Sequence, residues 1–153
     1  MPHRPYRLCA GIMLLNANNH VFVGQRIDNP SPAWQMPQGG IDTGETPVQA
    51  AMRELFEEIG TSQADIIAHY PEPLDYNLPP DLADKFWNGQ YCGQRQYWFL
   101  MRFTGTDSDI NLNTQHPEFS AYRWVKPHTL PDYAVSFKKE IYQKLIDGFK
   151  DYF

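Results

Sequence analysis

The sequence predicts an α+β domain in which helices pack against a sheet. Three observations carry that reading: strand-like apolar runs near the start of the chain and again near residue 100, a sharply capped amphipathic helix between them, and a second helical pattern close to the C-terminal end. At 153 residues the chain suits a single domain spanning 1–153, and such a chain buries roughly 70% of the surface it exposes when unfolded. With 42% apolar, 20% charged and 14% aromatic residues it falls among globular chains, not disordered or membrane ones.

From Arg7 an apolar run continues to Leu15. The turn residues Asn16, Ala17, Asn18 and Asn19 and then Val21, Phe22 and Val23 complete a two-strand hairpin that Arg26 closes. Arg4 and Arg7 precede the apolar run as in a signal peptide, but no small-residue cleavage site follows, so the run reads as a core strand. No stretch approaches the roughly 18 apolar residues needed to span a bilayer, and no membrane partner is expected. Residues 28–41, rich in Pro and Gly around Trp34 and Met36, read as a long ordered loop that leads to a helix.

That helix has Thr46 as N-cap, Pro47 at the first position, Gln49 to complete a capping box and Gly60 as its stop. Residues 66–70 and 96–103 read as strands. Between them, residues 71–93 hold four prolines with Tyr76, Phe86, Trp87 and Tyr91, and read as an irregular stretch. It is either a substrate-facing loop or a surface excursion packed by its own aromatics. A last strand at 122–125 precedes Pro127, and a helix at about 136–149 closes the domain. Cys9 and Cys92, the two cysteines, lie at no metal-ligand spacing and suit reduced thiols in the cytoplasm.

The formal net charge of −5 argues against a general nucleic-acid coat protein, and no DNA partner is expected. The charge is also local. Between Gly39 and Gly60 lie Asp42, Glu45, Glu54, Glu57 and Glu58 against the single cation Arg53, so most of the chain's acidity belongs to one segment. On the helix, Val48, Met52, Leu55 and Ile59 fall on one side, flanked by Ala51 and Phe56, and that side is expected to pack on the sheet. Glu54, Glu57 and Glu58 stand at i, i+3 and i+4, so their carboxylates crowd an arc expected on the opposite, outward side. A solvated acidic face is the bland explanation of such a cluster; carboxylates gathered to hold a hard divalent cation are the functional one.

Other positions in the segment have distinct physical uses. Gly39 and Gly40 let the loop backbone approach the helix and expose carbonyls, one of which can join a metal shell, and Gly44 permits the turn before Glu45. Glu45 and Arg53 are expected to pair across the loop–helix junction, a structural role first.

Gly39, Glu45, Arg53, Glu54, Leu55, Glu57, Glu58 and Gly60 together resemble the Nudix box: glycine, five residues, glutamate, seven residues, then Arg-Glu-hydrophobic-any-Glu-Glu-any-Gly-hydrophobic. Thr61 at the final hydrophobic position is the one departure. The resemblance implies a Nudix-type α/β/α sandwich with a mixed central sheet flanked by helices. It also implies a pyrophosphohydrolase whose catalytic set is Arg53, Glu54, Glu57 and Glu58. Glu54 or Glu57 would serve as general base, and Gly40, Gly44, Glu45 and Gly60 as structural members. Outside the box, residues 34–41, 94–99, 116–119 and 135–138 resemble the subgroup of RNA pyrophosphohydrolases and asymmetric dinucleoside-tetraphosphate hydrolases.

Within that subgroup, the resemblance implies that Gly39, Glu54, Glu57, Glu58 and Glu118 hold magnesium or manganese, two or three ions with substrate bound. Arg7, Arg26, Tyr76, Val135, Phe137 and Lys138 would contact substrate, with Phe137 stacking on a base. Plainer roles stand beside these: Phe137 as core, Arg26 and Lys138 as surface charges, Glu118 as a cap. The expected reaction is removal of pyrophosphate from an RNA 5′-triphosphate end, leaving a 5′-monophosphate, a step in mRNA decay. The alternatives are cleavage of diadenosine tetraphosphate to ATP and AMP, and a non-catalytic metal–phosphate binding module. The sequence points to no protein partner.

Overall fold

The computed structural model describes residues 4–27, 34–115, 117–134 and 138–153. Strands β1 (Tyr6–Leu15) and β2 (Val21–Arg26) form the expected hairpin, with Leu15 opposite Val21. Its turn is made by asparagines. Asn16 Oδ1 accepts the amides of Asn18 and His20 at 3.0 Å each, and Asn19 takes a left-handed φ of 61°, a conformation asparagine tolerates better than most residues.

The sequence suggests only a loop at 28–41. Residues 28–33 lie outside the described residues, and the remainder contains two short strands, β3 (Trp34–Gln35) and β4 (Gln38–Gly40). Strand β3 pairs with β2, and β4 pairs antiparallel with β1 through Cys9–Gly40, Ala10–Gly39 and Gly11–Gln38. A Gln-Gly-Gly stretch carries no side-chain periodicity, so its strand character comes from its neighbour.

Helix α1 (Pro47–Ile59) has the expected capping box at Thr46, and Gly60 closes it at φ 77°. After β5 (Ala64–His69), the stretch expected to be irregular contains β6 (Leu74–Asn77) and α2 (Pro80–Lys85), followed by a single 3-10 turn at Phe86–Gly89. Burial of Leu74 and antiparallel pairing with the next strand hold β6, and Pro79 starts α2 by offering its carbonyl to the amides of Leu82 and Ala83. The remaining elements are β7 (Gly93–Phe103), β8 (Phe119–Val125), α3 (Leu130–Tyr133), which the sequence did not suggest, and α4 (Lys139–Phe149). The start expected for this last helix, at residues 136–137, lies outside the described residues.

The sheet is mixed. Strands β1 and β7 run parallel from Tyr6–Gly93 to Leu15–Arg102, and the other pairings are antiparallel. Period-two alternation along the two central strands then divides the core. Ala10, Ile12, Leu14, Phe99, Met101 and Phe103 face α1, whereas Met13, Leu15, Trp98 and Leu100 face α4 through Tyr142, Leu145 and Phe149. Helices therefore cover both faces of the sheet, as the resemblance implies. Among the described residues no helix is long and apolar enough to cross a membrane.

One buried hydrogen bond joins the α4 face to the β3–β4 segment: the Met36 amide donates to the Tyr142 hydroxyl at 2.9 Å. Tyr142 also meets Trp98 edge-on, with ring centroids 6.1 Å apart. Replacing Tyr142 by Phe keeps the ring and removes the acceptor. The expected cost, read by urea unfolding, is about 1–3 kcal/mol for the stranded amide; unchanged stability would show that another acceptor takes over.

Candidate active site

Thr46 anchors α1 by accepting the Gln49 amide at 3.2 Å, and the Gln49 side chain returns the bond to the Thr46 amide at 2.9 Å. One and two turns further on, Arg53 gathers the segment. Its Nε and Nη2 hold the two oxygens of Glu45 at 2.8 and 2.9 Å, and Nη2 also donates to the Gly40 carbonyl at 2.8 Å. Its Nη1 donates to Glu54 Oε1 at 2.9 Å and to Glu57 Oε2 at 3.0 Å. Asp42, which the sequence reading counted only as charge, stands 3.5 Å from the same guanidinium. Glu45 also receives the Asp42 amide at 2.9 Å. Hydrogen bonds from Arg53 hold the Glu45 carboxyl down to about 2, and those bonds push Arg53 further up its already high range.

The helix does not present its faces quite as expected. Ala50, Ala51, Leu55 and Ile59 are buried, but Val48 and Phe56 are exposed, and Glu58 is only 2% exposed. Glu58 therefore does not point outward with its neighbours. It lies three residues beyond Leu55, on the edge of the buried arc, where the β4 segment covers it. Burial pushes its carboxyl well up, with the Glu54 and Glu118 charges adding to the effect, while Arg26 and the Gln38 backbone amide oppose it. Glu54 is raised by burial too, against the lowering effect of Arg53.

Strand β4 explains the glycine before the box. A Cβ on Gly39 would overlap the Glu54 carboxylate, so the backbone there approaches the helix as only glycine allows. Gly44 sits at φ 86°. At the far end of α1, the Asn111 amide donates to the Ile59 carbonyl at 2.8 Å, and Gly60 leaves room for the Asn111 backbone. Thr61, the departure from the box pattern, is buried and uses its hydroxyl to accept the Gln63 amide at 3.1 Å.

Glu54, Glu57, Glu58 and Glu118 line one pocket of about 290 Å³, together with Phe56, Gly60, Asn111, Thr114 and Gln115. Glu118 comes from the turn into β8 and pairs with Arg26 at 3.5 Å. Arg7 packs across Gly40, its Nη2 2.6 Å from where a Cβ would stand, and its Nη1 contacts Cys9 Sγ at 3.7 Å. Tyr76 on β6 is half-buried in the same neighbourhood, where burial and the nearby Cys9 push its hydroxyl up. Lys138 is nearly buried, donates to Gln35 Oε1 at 3.2 Å, and is pushed down to about 8 by burial and by Arg26. Val135 and Phe137 lie outside the described residues. The structure thus brings the box glutamates and Glu118 together, with Arg7, Arg26, Tyr76 and Lys138 beside them.

Whether these residues suit a metal can be tested on Glu58. Its Oε2 is buried with no hydrogen-bond partner, in a pocket shared by three other carboxylates. A desolvated, unpaired carboxylate oxygen is costly by itself and is the ligand chemistry a hard divalent cation takes up. Among the described residues no three of the acids yet converge on one point, since Glu54 and Glu57 are both held on Arg53. The donor set fits the group; the present arrangement is that of side chains balanced by the guanidinium.

The family model described as NUDIX domain matches residues 5–145. The chain belongs to the Nudix family. Among its Nudix relatives, an RNA pyrophosphohydrolase of Roseobacter denitrificans is 52% identical over 148 residues, covering 95% of this chain and 92% of that one. Another RNA pyrophosphohydrolase, from Erythrobacter litoralis, is 54% identical over 149 residues, covering 95% and 91%. Solved structures share the fold at lower identity. The E. coli dihydroneopterin triphosphate pyrophosphohydrolase superposes with a TM-score of 0.69 at 20% identity, covering 94% of this chain and 99% of that one. A C. elegans Ap4A hydrolase binary complex gives 0.69 at 22%, covering 96% and 99%.

Several neighbours of this Nudix box escaped the sequence reading. Gln35 and Gln38 are polar residues within an otherwise apolar and Gly-rich stretch; Gln35 holds Lys138, and Gln38 buries an unpartnered Oε1. That contrast was the available signal. The residues at 111–115 gave none, because they reach the pocket only through the path of the folded chain.

The Arg53–Glu45 clamp predicts a pH dependence. A carboxyl lowered from 4.5 to about 2 contributes stability above pH 4.5 that is lost as pH falls toward 2. Thermal midpoints of wild type and Glu45→Gln should therefore converge across that window. A constant gap down to pH 2 would mean that the ion pair does not set the difference. A second expectation concerns Gly39→Ala, which should displace Glu54 and lower turnover at least tenfold while the far-ultraviolet circular dichroism stays native; unimpaired turnover would show that Glu54 adjusts freely.

Proposed function

We propose that this Nudix protein hydrolyses nucleotide polyphosphates, and that its principal reaction removes pyrophosphate from RNA 5′-triphosphate ends to leave a 5′-monophosphate, a step in mRNA decay. The observation that carries the proposal is the convergence of Glu54, Glu57, Glu58 and Glu118 on one pocket, with Arg7, Arg26 and Lys138 close by. The relatives named RNA pyrophosphohydrolase support the substrate.

Glu54, Glu57, Glu58, Glu118 and the Gly39 carbonyl would hold divalent cations, magnesium or manganese, two or three per site. Such ions supply Lewis-acid polarisation of phosphoryl oxygens and a lowered pKa for the attacking water. The chain's own residues do the rest. Arg7, Arg26 and Lys138 draw in and orient the triphosphate, and Arg53 fixes Glu54 and Glu57 in position. Glu57, the most water-exposed of the carboxylates on Arg53 after Asp42, accepts a proton from water. The water oxygen bonds to phosphorus, the bridging P–O bond breaks, and its electron pair leaves on the departing phosphate oxygen. The two reduced cysteines suit a cytoplasmic setting. A purely phosphate-binding module would have no use for a carboxylate open to water beside Arg53.

The test uses a short triphosphorylated RNA and magnesium, with pyrophosphate release as the readout. Wild type should turn over and stop on addition of a chelator. Glu57→Gln should fall by at least a hundredfold, within the contribution usual for a general base, with an unchanged melting temperature. Undiminished turnover of Glu57→Gln, or turnover that survives the chelator, would overturn the mechanism.

A further inference from the structure

The acidic pocket has an end that the RNA reaction does not use. There Phe56, 57% exposed on α1, lies with Asn111, Thr114 and Gln115 beside the carboxylates. None of Arg7, Arg26, Tyr76 and Lys138 lines it. A large ring left in water on a helix whose other apolar residues mostly pack inward needs a reason.

The wall opposite the ring is fixed. Asn111 is bound to the end of α1 through its amide, and its Oδ1 accepts the Asn113 amide at 3.0 Å. Its Nδ2 therefore remains a donor for a ligand, and the Gln115 side chain offers both a donor and an acceptor. Thr114 Oγ1 is buried there with no partner. A phosphate at this end would face four carboxylates and no cation. An uncharged planar group with donors and acceptors on its edge matches a phenyl ring and two side-chain amides, the combination that binds nucleobases elsewhere.

From this, and resting on the polyphosphatase reading above, we infer that the Phe56–Asn111–Gln115 pocket receives the second nucleoside of a dinucleoside polyphosphate. The first nucleoside lies on the Arg7, Arg26 and Lys138 flank, and the phosphate chain crosses the carboxylates between them. An RNA 5′ end, whose triphosphate terminates at the carboxylates, leaves this pocket unused. The site therefore extends the substrate range of the same chemistry without altering its centre.

The experiment compares wild type, Phe56→Ala, Phe56→Trp and Gln115→Ala on diadenosine tetraphosphate and on triphosphorylated RNA with the same magnesium concentration. Phe56→Ala should raise KM for the dinucleotide roughly tenfold or more, the size of one lost base–aromatic stack, and leave kcat and the RNA parameters unchanged. Phe56→Trp should keep the wild-type KM, and Gln115→Ala should raise it for the dinucleotide only. A wild type that cleaves both substrates, with Phe56→Ala and Gln115→Ala impaired equally on both or on neither, overturns this site alone. So does a wild type that cleaves RNA and not the dinucleotide. A wild type that cleaves neither overturns the polyphosphatase reading and the site with it.

Discussion

The Arg53 guanidinium touches Glu45, Glu54, Glu57 and the Gly40 carbonyl at 2.8 to 3.0 Å. Those contacts tie together the loop before α1, the β4 backbone and two successive turns of the helix. A lysine has the charge but not the planar fork that binds both oxygens of Glu45 while reaching the others. Most of the arrangement depends on this one group. It fixes the distance between β4 and α1, which is why Gly39 must lack a side chain, and it offsets the repulsion among carboxylates that the helix otherwise crowds together.

Glu58 is the exception to that compensation. Arg53 does not reach it, it is buried, and one of its oxygens has no partner. A fold does not keep such a group for stability, since an apolar residue in its place costs less. Its setting makes sense if a cation completes it, and the opposite charges of Arg26 and Lys138 nearby then serve the phosphates that accompany that cation. The sheet makes this possible: parallel pairing of β1 with β7 and antiparallel pairing with β4 bring Arg7, Gly39 and Tyr76 to the helix end that carries the acids.

Much of this was legible in the sequence, and for identifiable reasons. The hairpin, the capping box at Thr46 and the helix end at Gly60 are local, written in residues that adopt few other conformations. The Glu45–Arg53 pair and the gathering of Glu54, Glu57 and Glu58 follow from spacing on one helix. What could not be read depended on distant neighbours. The strands at Gln38–Gly40 and Leu74–Asn77 exist because β1 and β7 offer them hydrogen bonds. Helical arithmetic put Glu58 outward because it could not know that β4 would lie across that edge, and the same arithmetic put Phe56 and Val48 too near the core. Gln35 and the residues at 111–115 join the site only through tertiary contact.

The claim on which the account stands is that the α1 carboxylates form a divalent-cation site. Manganese binding followed by electron paramagnetic resonance tests it without reference to any substrate. Wild type is predicted to bind manganese saturably, and the double variant Glu54→Gln, Glu58→Gln to lose that binding while its circular dichroism stays native. Undiminished manganese binding by the folded double variant would contradict the account.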